Sequence, residues 1–145
     1  MALARNVGRI DHIYISVKPK NFQACVDKLT RMLDLKFQTL YRPDDNIQAA
    51  VDLDSGMEVV APIREEGPMW EKVSNGGEGE IGVVFGVANL EEAKQRAATE
   101  GYAAVQNFGL NGDEPWFDRF ITFKQAKLPP VYGVNIAIGE IDPKP

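Results

Sequence analysis

The chain has 145 residues, 44% of them hydrophobic and 26% charged, with a net charge of −5 and a single cysteine. That length suits one globular unit, the negative charge repels phosphate backbones, and no apolar run approaches the ~20 residues of a membrane span. Nucleic acid and membrane are therefore not expected as partners. One cysteine and the absence of an apolar leader fit a reducing, cytoplasmic setting.

The stretch RIDHIYISV (9–17) alternates apolar and polar residues and contains the only histidine. Alternation of period two predicts a half-buried strand. Ile13, Ile15 and Val17 share one face, and Ile10, His12, Tyr14 and Ser16 the other. After a Lys-Pro-Lys turn, residues 21–35 place Phe22, Cys25, Val26, Leu29, Met32 and Leu33 at helical spacing, with Asn21 as the expected N-cap. Cys25 lies in that apolar stripe and reads as a small buried residue rather than a reactive thiol. KFQTLYR, NIQAAVDL and MEVVAPI then read as three strands separated by turn chemistry. GPMWEKVSNGGEGE (67–80) is a connector with about one helical turn over Pro68–Val73.

The pattern then restarts. IGVVFGV predicts a strand, and NLEEAKQRAATEGY a helix capped by Asn89 and ended by Gly101. AAVQNFG, WFDRFITF and VYGVNIAI supply three further strands. HIYISV (12–17) aligns with GVVFGV (82–87) at an offset of 70, so the chain reads as βαβββ twice. The frame of WFDRFITF is open. Either Phe117, Arg119, Ile121 and Phe123, or Trp116, Asp118, Phe120 and Thr122, face inward, and an inward Arg119 would suit a carboxylate or phosphate.

Two βαβββ modules, a first strand reading I-D-H-I-x-I-x-V and a fourth reading G-x-E-V-V-A-P resemble the vicinal oxygen chelate superfamily. That superfamily includes glyoxalase I, methylmalonyl-CoA epimerase, extradiol dioxygenases and the fosfomycin- and bleomycin-resistance proteins. The connector is most similar to that of the epimerase and glyoxalase branch. The resemblance implies an α+β fold in which the two modules form an open, cup-shaped eight-stranded sheet. The whole chain would be one such domain, with module one at about 7–63, the connector at about 64–79 and module two at about 80–141. It also implies a homodimer.

The resemblance further implies a divalent ion (Ni, Co, Mn, Zn or Mg) held by ligands from the first and fourth strand of each module. In module one these positions fall on His12 and Glu58, but in module two on Gly82 and Ala137, so the site is incomplete. Glu80, two residues before Gly82, shares its face; Glu140, three residues from Ala137, should face away. No other cofactor is expected. The inward surface of the cup would carry His12, Tyr14, Ser16, Glu58, Gly82, Val84, Asn135 and Ala137, polar on one side and pared down on the other. Trp116, Phe117 and Arg119 complete the substrate-binding candidates.

A lone histidine on a strand is ordinarily a packed residue, but its shared face with Tyr14 and its implied neighbour Glu58 favour a site role. The expected function is an isomerase or lyase that moves a proton on a small carbonyl- or oxygen-rich substrate. Glu58 would act as base or ligand, His12 as acid or ligand, and Tyr14 as hydrogen-bond donor. A dioxygenase is disfavoured, since non-haem iron sites want two histidines. The alternative is a metal-free protein that binds and sequesters a small organic ligand, as bleomycin-resistance proteins do.

Overall fold

The computed structural model describes residues 4–145, and among them it has eight strands and three α-helices, an α+β fold. In chain order these are β1 (Ile10–Ser16), α1 (Phe22–Leu33), β2 (Gln38–Arg42), β3 (Ile47–Asp52), β4 (Met57–Ala61), α2 (Gly67–Lys72), β5 (Ile81–Gly86), α3 (Leu90–Thr99), β6 (Gln106–Gly109), β7 (Phe120–Lys127) and β8 (Asn135–Pro143). The hydrogen-bonded order is β2-β3-β4-β1-β5-β8-β7-β6. The strand-helix-three-strand pattern thus occurs twice, with α2 in the connector. Two compact units result, residues 14–81 and a second built from the chain up to Ile13 together with Gly82–Pro145. None of the helices is long and apolar enough to cross a membrane.

Within residues 14–81, the apolar stripe of α1 buries Phe22 and Val26 against Val17, Ala50, Val59 and Ala61, with Cys25 and Leu29 packed at the edge. Each fully buried side chain of this size contributes roughly 1.5–3 kcal/mol. Cys25 is half-buried at the edge of this stripe rather than fully buried as expected, and burial, then the charge of Glu78, raise its thiol pKa. Asn21 stands at the N-cap position of α1 as expected, but its side chain makes no capping bond. A 3-10 turn over Pro19–Asn21 precedes the helix, and Pro19 O accepts the Phe22 N–H. The Asn21 amide instead donates to Glu78 Oε2 at 2.8 Å, which also accepts the Lys18 N–H at 2.8 Å. Asp34, in the left-handed region at φ 54°, ends the helix.

In the other unit, α3 buries Leu90 and Ala93 against Val87, Ala126, Leu128 and Ile138. Asn89 caps as expected, its Oδ1 accepting the Glu92 N–H at 3.0 Å. Glu140 adds a second cap: its Oε1 accepts the Leu90 N–H at 2.9 Å, a carboxylate at the positive end of the helix dipole. Glu140 therefore turns toward α3, as its spacing from Ala137 required. β5 and β8 pair in parallel, with Gly82 opposite Asn135 and Val84 opposite Ala137.

Two strand boundaries differ from expectation. Phe117–Arg119 is a 3-10 turn rather than strand, held by Phe117 N–H to Glu114 O at 3.1 Å and Arg119 N–H to Trp116 O at 2.9 Å. The buried Glu114 carboxylate sets up this turn by accepting the Asn111 and Gly112 amides. β7 begins only at Phe120 but continues to Lys127, beyond the predicted end. Likewise 131–134 is a tight turn, with Tyr132 at φ 48° and Gly133 at φ 84°, so the last strand runs over Asn135–Pro143. Paired positive φ values mark a type I′ hairpin turn, in which the glycine meets no steric penalty.

Asp52 is 6% exposed, and its carboxylate accepts Lys36 N–H at 2.9 Å, Asp54 N–H at 3.0 Å and Ser55 N–H at 3.2 Å. Removing it leaves three amides without their acceptor. Asp52→Ala is expected to cost about 3 kcal/mol in urea denaturation. Asp52→Asn should cost less, because one oxygen can still serve Asp54 and Ser55.

Candidate functional site

Strand alternation decides what stands on each face. In β4, Val59 and Ala61 point into the core under α1, which leaves Glu58 and Val60 on the opposite face. In β1, Ile15 packs on that core, so Tyr14 and Ser16 take the opposite face as well. Their surroundings there are apolar and buried: Glu58 pairs with Val51 in the β3–β4 register, and Val51, Val60 and Ala49 are all buried. Ser16 is buried too, and its backbone joins β1 to the end of the connector through Ser16 N–H to Glu80 O at 3.1 Å and Gly79 N–H to Ser16 O at 2.7 Å.

The result in residues 14–81 is a phenol flanked by two carboxylates. Burial, then the negative charge of Glu58, then that of Glu80 raise the Tyr14 pKa above its ordinary 10.0. Each of these disfavours a phenolate, so Tyr14 stays a neutral O–H donor. Glu80 is tethered by Lys72 Nζ at 3.5 Å. An open groove of about 550 Å³ lies beside it, lined by Pro68, Lys72, Asn75 and Gly77 among others. The groove borders Val73–Gly77, an irregular turn kinked at Asn75 and Gly76, the latter at φ 95°.

The second unit holds the remaining candidates. His12 Nδ1 lies 2.7 Å from Asp11 Oδ2, with side-chain exposures of 11% and 13%. β5 and β8 put Gly82, Val84, Asn135 and Ala137 on the face turned away from α3, all four buried. Trp116 is buried at the start of the 3-10 turn, whereas Phe117 and Arg119 on that turn are exposed. Sequence reasoning missed two features. One is Asp11, since neighbours on a strand are expected to face apart. The other is Lys127, which the longer β7 sets directly opposite Ala137; the continuing alternation of FITFKQAKL was its signal.

The donor set tests the implied divalent ion. Catalytic metal sites usually keep three protein ligands. Gly82 and Ala137 offer no side-chain donor, and among the described residues no group of three or more His, Cys, Asp or Glu is placed to hold an ion. These residues do not fit the group, and the chemistry is derived without it.

No family model and no curated protein matches the chain. Solved structures do. A Streptomyces coelicolor methylmalonyl-CoA epimerase in complex with 2-nitronate-propionyl-CoA matches with a TM-score of 0.71 at 18% identity, covering 93% of this chain and 98% of that one. The methylmalonyl-CoA epimerase of Mycobacterium tuberculosis matches at 0.68 and 19% identity, covering 100% and 94%. A hypothetical protein from Bacillus halodurans C-125 matches at 0.69 and 24% identity, covering 91% and 93%. At these identities the likeness is one of fold: the chain has the fold of methylmalonyl-CoA epimerases, members of the vicinal oxygen chelate superfamily.

Proposed function

We propose that the protein is an isomerase of the epimerase type, which removes and returns a proton at a carbon beside a carbonyl. The observation that carries this reading is that β1 and β4 turn Tyr14 and Glu58 to the same face, opposite the α1 core, where burial and the charges of Glu58 and Glu80 keep the phenol neutral. Glu58 is the base. It takes the proton from the substrate carbon, and the electron pair left behind moves onto the neighbouring carbonyl oxygen to form an enolate. Tyr14 donates its O–H to that oxygen, where the negative charge develops. Glu58, now protonated, returns the proton, and inversion follows when the other face of the enolate is presented to it; Glu80, paired with Lys72 Nζ, keeps the negative charge that holds Tyr14 neutral. In the other unit, His12 beside Asp11 is a separate candidate acid–base group.

The fold neighbours support a thioester substrate. They include an epimerase bound to 2-nitronate-propionyl-CoA and one bound to methylmalonyl-CoA. In such a thioester the carbon beside the thioester carbonyl is the acidic one, and its deprotonation by a carboxylate depends on a donor that stabilises the enolate oxygen. The ligand-binding alternative draws on the small residues Gly82 and Ala137, which open space for an organic molecule without supplying chemistry.

The test is interconversion of the two epimers of methylmalonyl-CoA by the purified protein. Glu58→Gln should lower turnover about 1,000-fold, and Tyr14→Phe about 100-fold, with the fold intact by circular dichroism. A protein that binds the thioester but never inverts it would favour the ligand-binding reading.

Tyr14 also makes a pH prediction independent of any substrate. Its folded-state pKa is raised, so above pH 10.0 the unfolded phenol ionises before the folded one. The unfolded state then binds fewer protons, and stability falls as pH rises from 10.0 toward the raised value. Tyr14→Phe should remove that part of the alkaline loss. The Tyr14 titration, taken as the ultraviolet difference between wild type and Tyr14→Phe, should have a midpoint above 10.0 that drops in Glu58→Gln.

A further inference from the structure

We infer that Asp11 is a positioning residue that fixes the proton of His12 on Nδ1, and that Asn6 in turn fixes Asp11. The inference rests on the reading of His12 as an acid–base group. Asp11 Oδ2 lies 2.7 Å from His12 Nδ1, and Asn6 Nδ2 donates to Asp11 Oδ1 at 3.0 Å. An ionised carboxylate only accepts hydrogen bonds, so the nitrogen facing it must carry the hydrogen. The neutral ring then holds its lone pair on Nε2, and every proton the ring takes or returns passes through that atom. Free imidazole side chains favour the opposite tautomer in water, so Asp11 reverses a solution preference.

The backbone supports the relay at its far end. Gly8 N–H donates to Gly86 O at 2.9 Å, and Gly86 N–H donates to Arg9 O at 2.8 Å, so the segment before β1 is laced to β5. A Cβ at Gly86 would stand 1.5 Å from Asn6 O. Only glycine allows Asn6 to lie this close to β5, the placement from which its amide reaches Asp11. Both acid and imidazole are mostly withdrawn from water, at 13% and 11% exposure, which strengthens the bond between them.

His12 is the only histidine in the chain, so its signals are unambiguous. The experiment is a long-range proton–nitrogen NMR spectrum of protein labelled with nitrogen-15 histidine, taken above the ring's own titration midpoint. Wild type should show a protonated Nδ1 and an unprotonated Nε2. In Asp11→Asn, the Asn6 amide still donates to the new side chain's oxygen, which turns its NH₂ toward the ring. That variant should invert the tautomer, and Asp11→Ala should move it to the Nε2–H form.

An Nε2–H tautomer in wild type, or an unchanged tautomer in both Asp11 variants, overturns the inference. If Asp11→Ala does not fold, the near-isosteric Asp11→Asn decides. A wild-type protein without turnover overturns the functional reading, while the tautomer still decides this one.

Discussion

The period of two along β4 is the constraint on which the proposed chemistry depends. Val59 and Ala61 are drawn under α1 by the burial that forms the core of residues 14–81. Glu58 lies between Met57 and Val59, so it is carried to the opposite face by the same packing, and the strand cannot withdraw it without exposing its core. β1 obeys the same rule, which brings Tyr14 and Ser16 to that face while Ile15 and Val17 serve the core. Hydrophobic packing on one side of the sheet thus fixes the position of the polar groups on the other.

Electrostatics then sets what those groups do. A phenol near two carboxylates and partly shut off from water holds its proton, and a neutral donor is what a developing enolate oxygen requires. In the second unit, a carboxylate against an imidazole nitrogen acts in the reverse sense and settles which ring atom bears the proton. In both places a carboxylate governs its neighbour through charge.

Much of the fold was legible from residues alone. Apolar spacing located both long helices, the 70-residue offset revealed the repeat, and Asn89 capped where its position required. What failed was local competition for backbone amides. Asn21 stands at the cap position, but a 3-10 turn begun by Pro19 precedes it and its side chain makes no capping bond; Glu78, distant in sequence, takes its amide. WFDRFITF has strand composition throughout, yet a buried Glu114 four residues before Asp118 winds its first part into a turn. The strand face of the candidate residues was legible where alternation governs, at Glu58 and Tyr14. Asp11 was not, because its contact with His12 joins sequence neighbours that a regular strand would point apart, and Asn6 reaches it from outside the strand.

The central claim is that Glu58 removes a proton from a carbon beside a carbonyl, with Tyr14 as the neutral donor. Its most direct test is incorporation of solvent deuterium into methylmalonyl-CoA, followed by mass spectrometry in heavy water, with wild type and Glu58→Gln side by side. The account predicts uptake at the carbon between the two carbonyl groups by the wild-type protein, and only background uptake with Glu58→Gln. No uptake with wild type, or equal uptake with the variant, would contradict it.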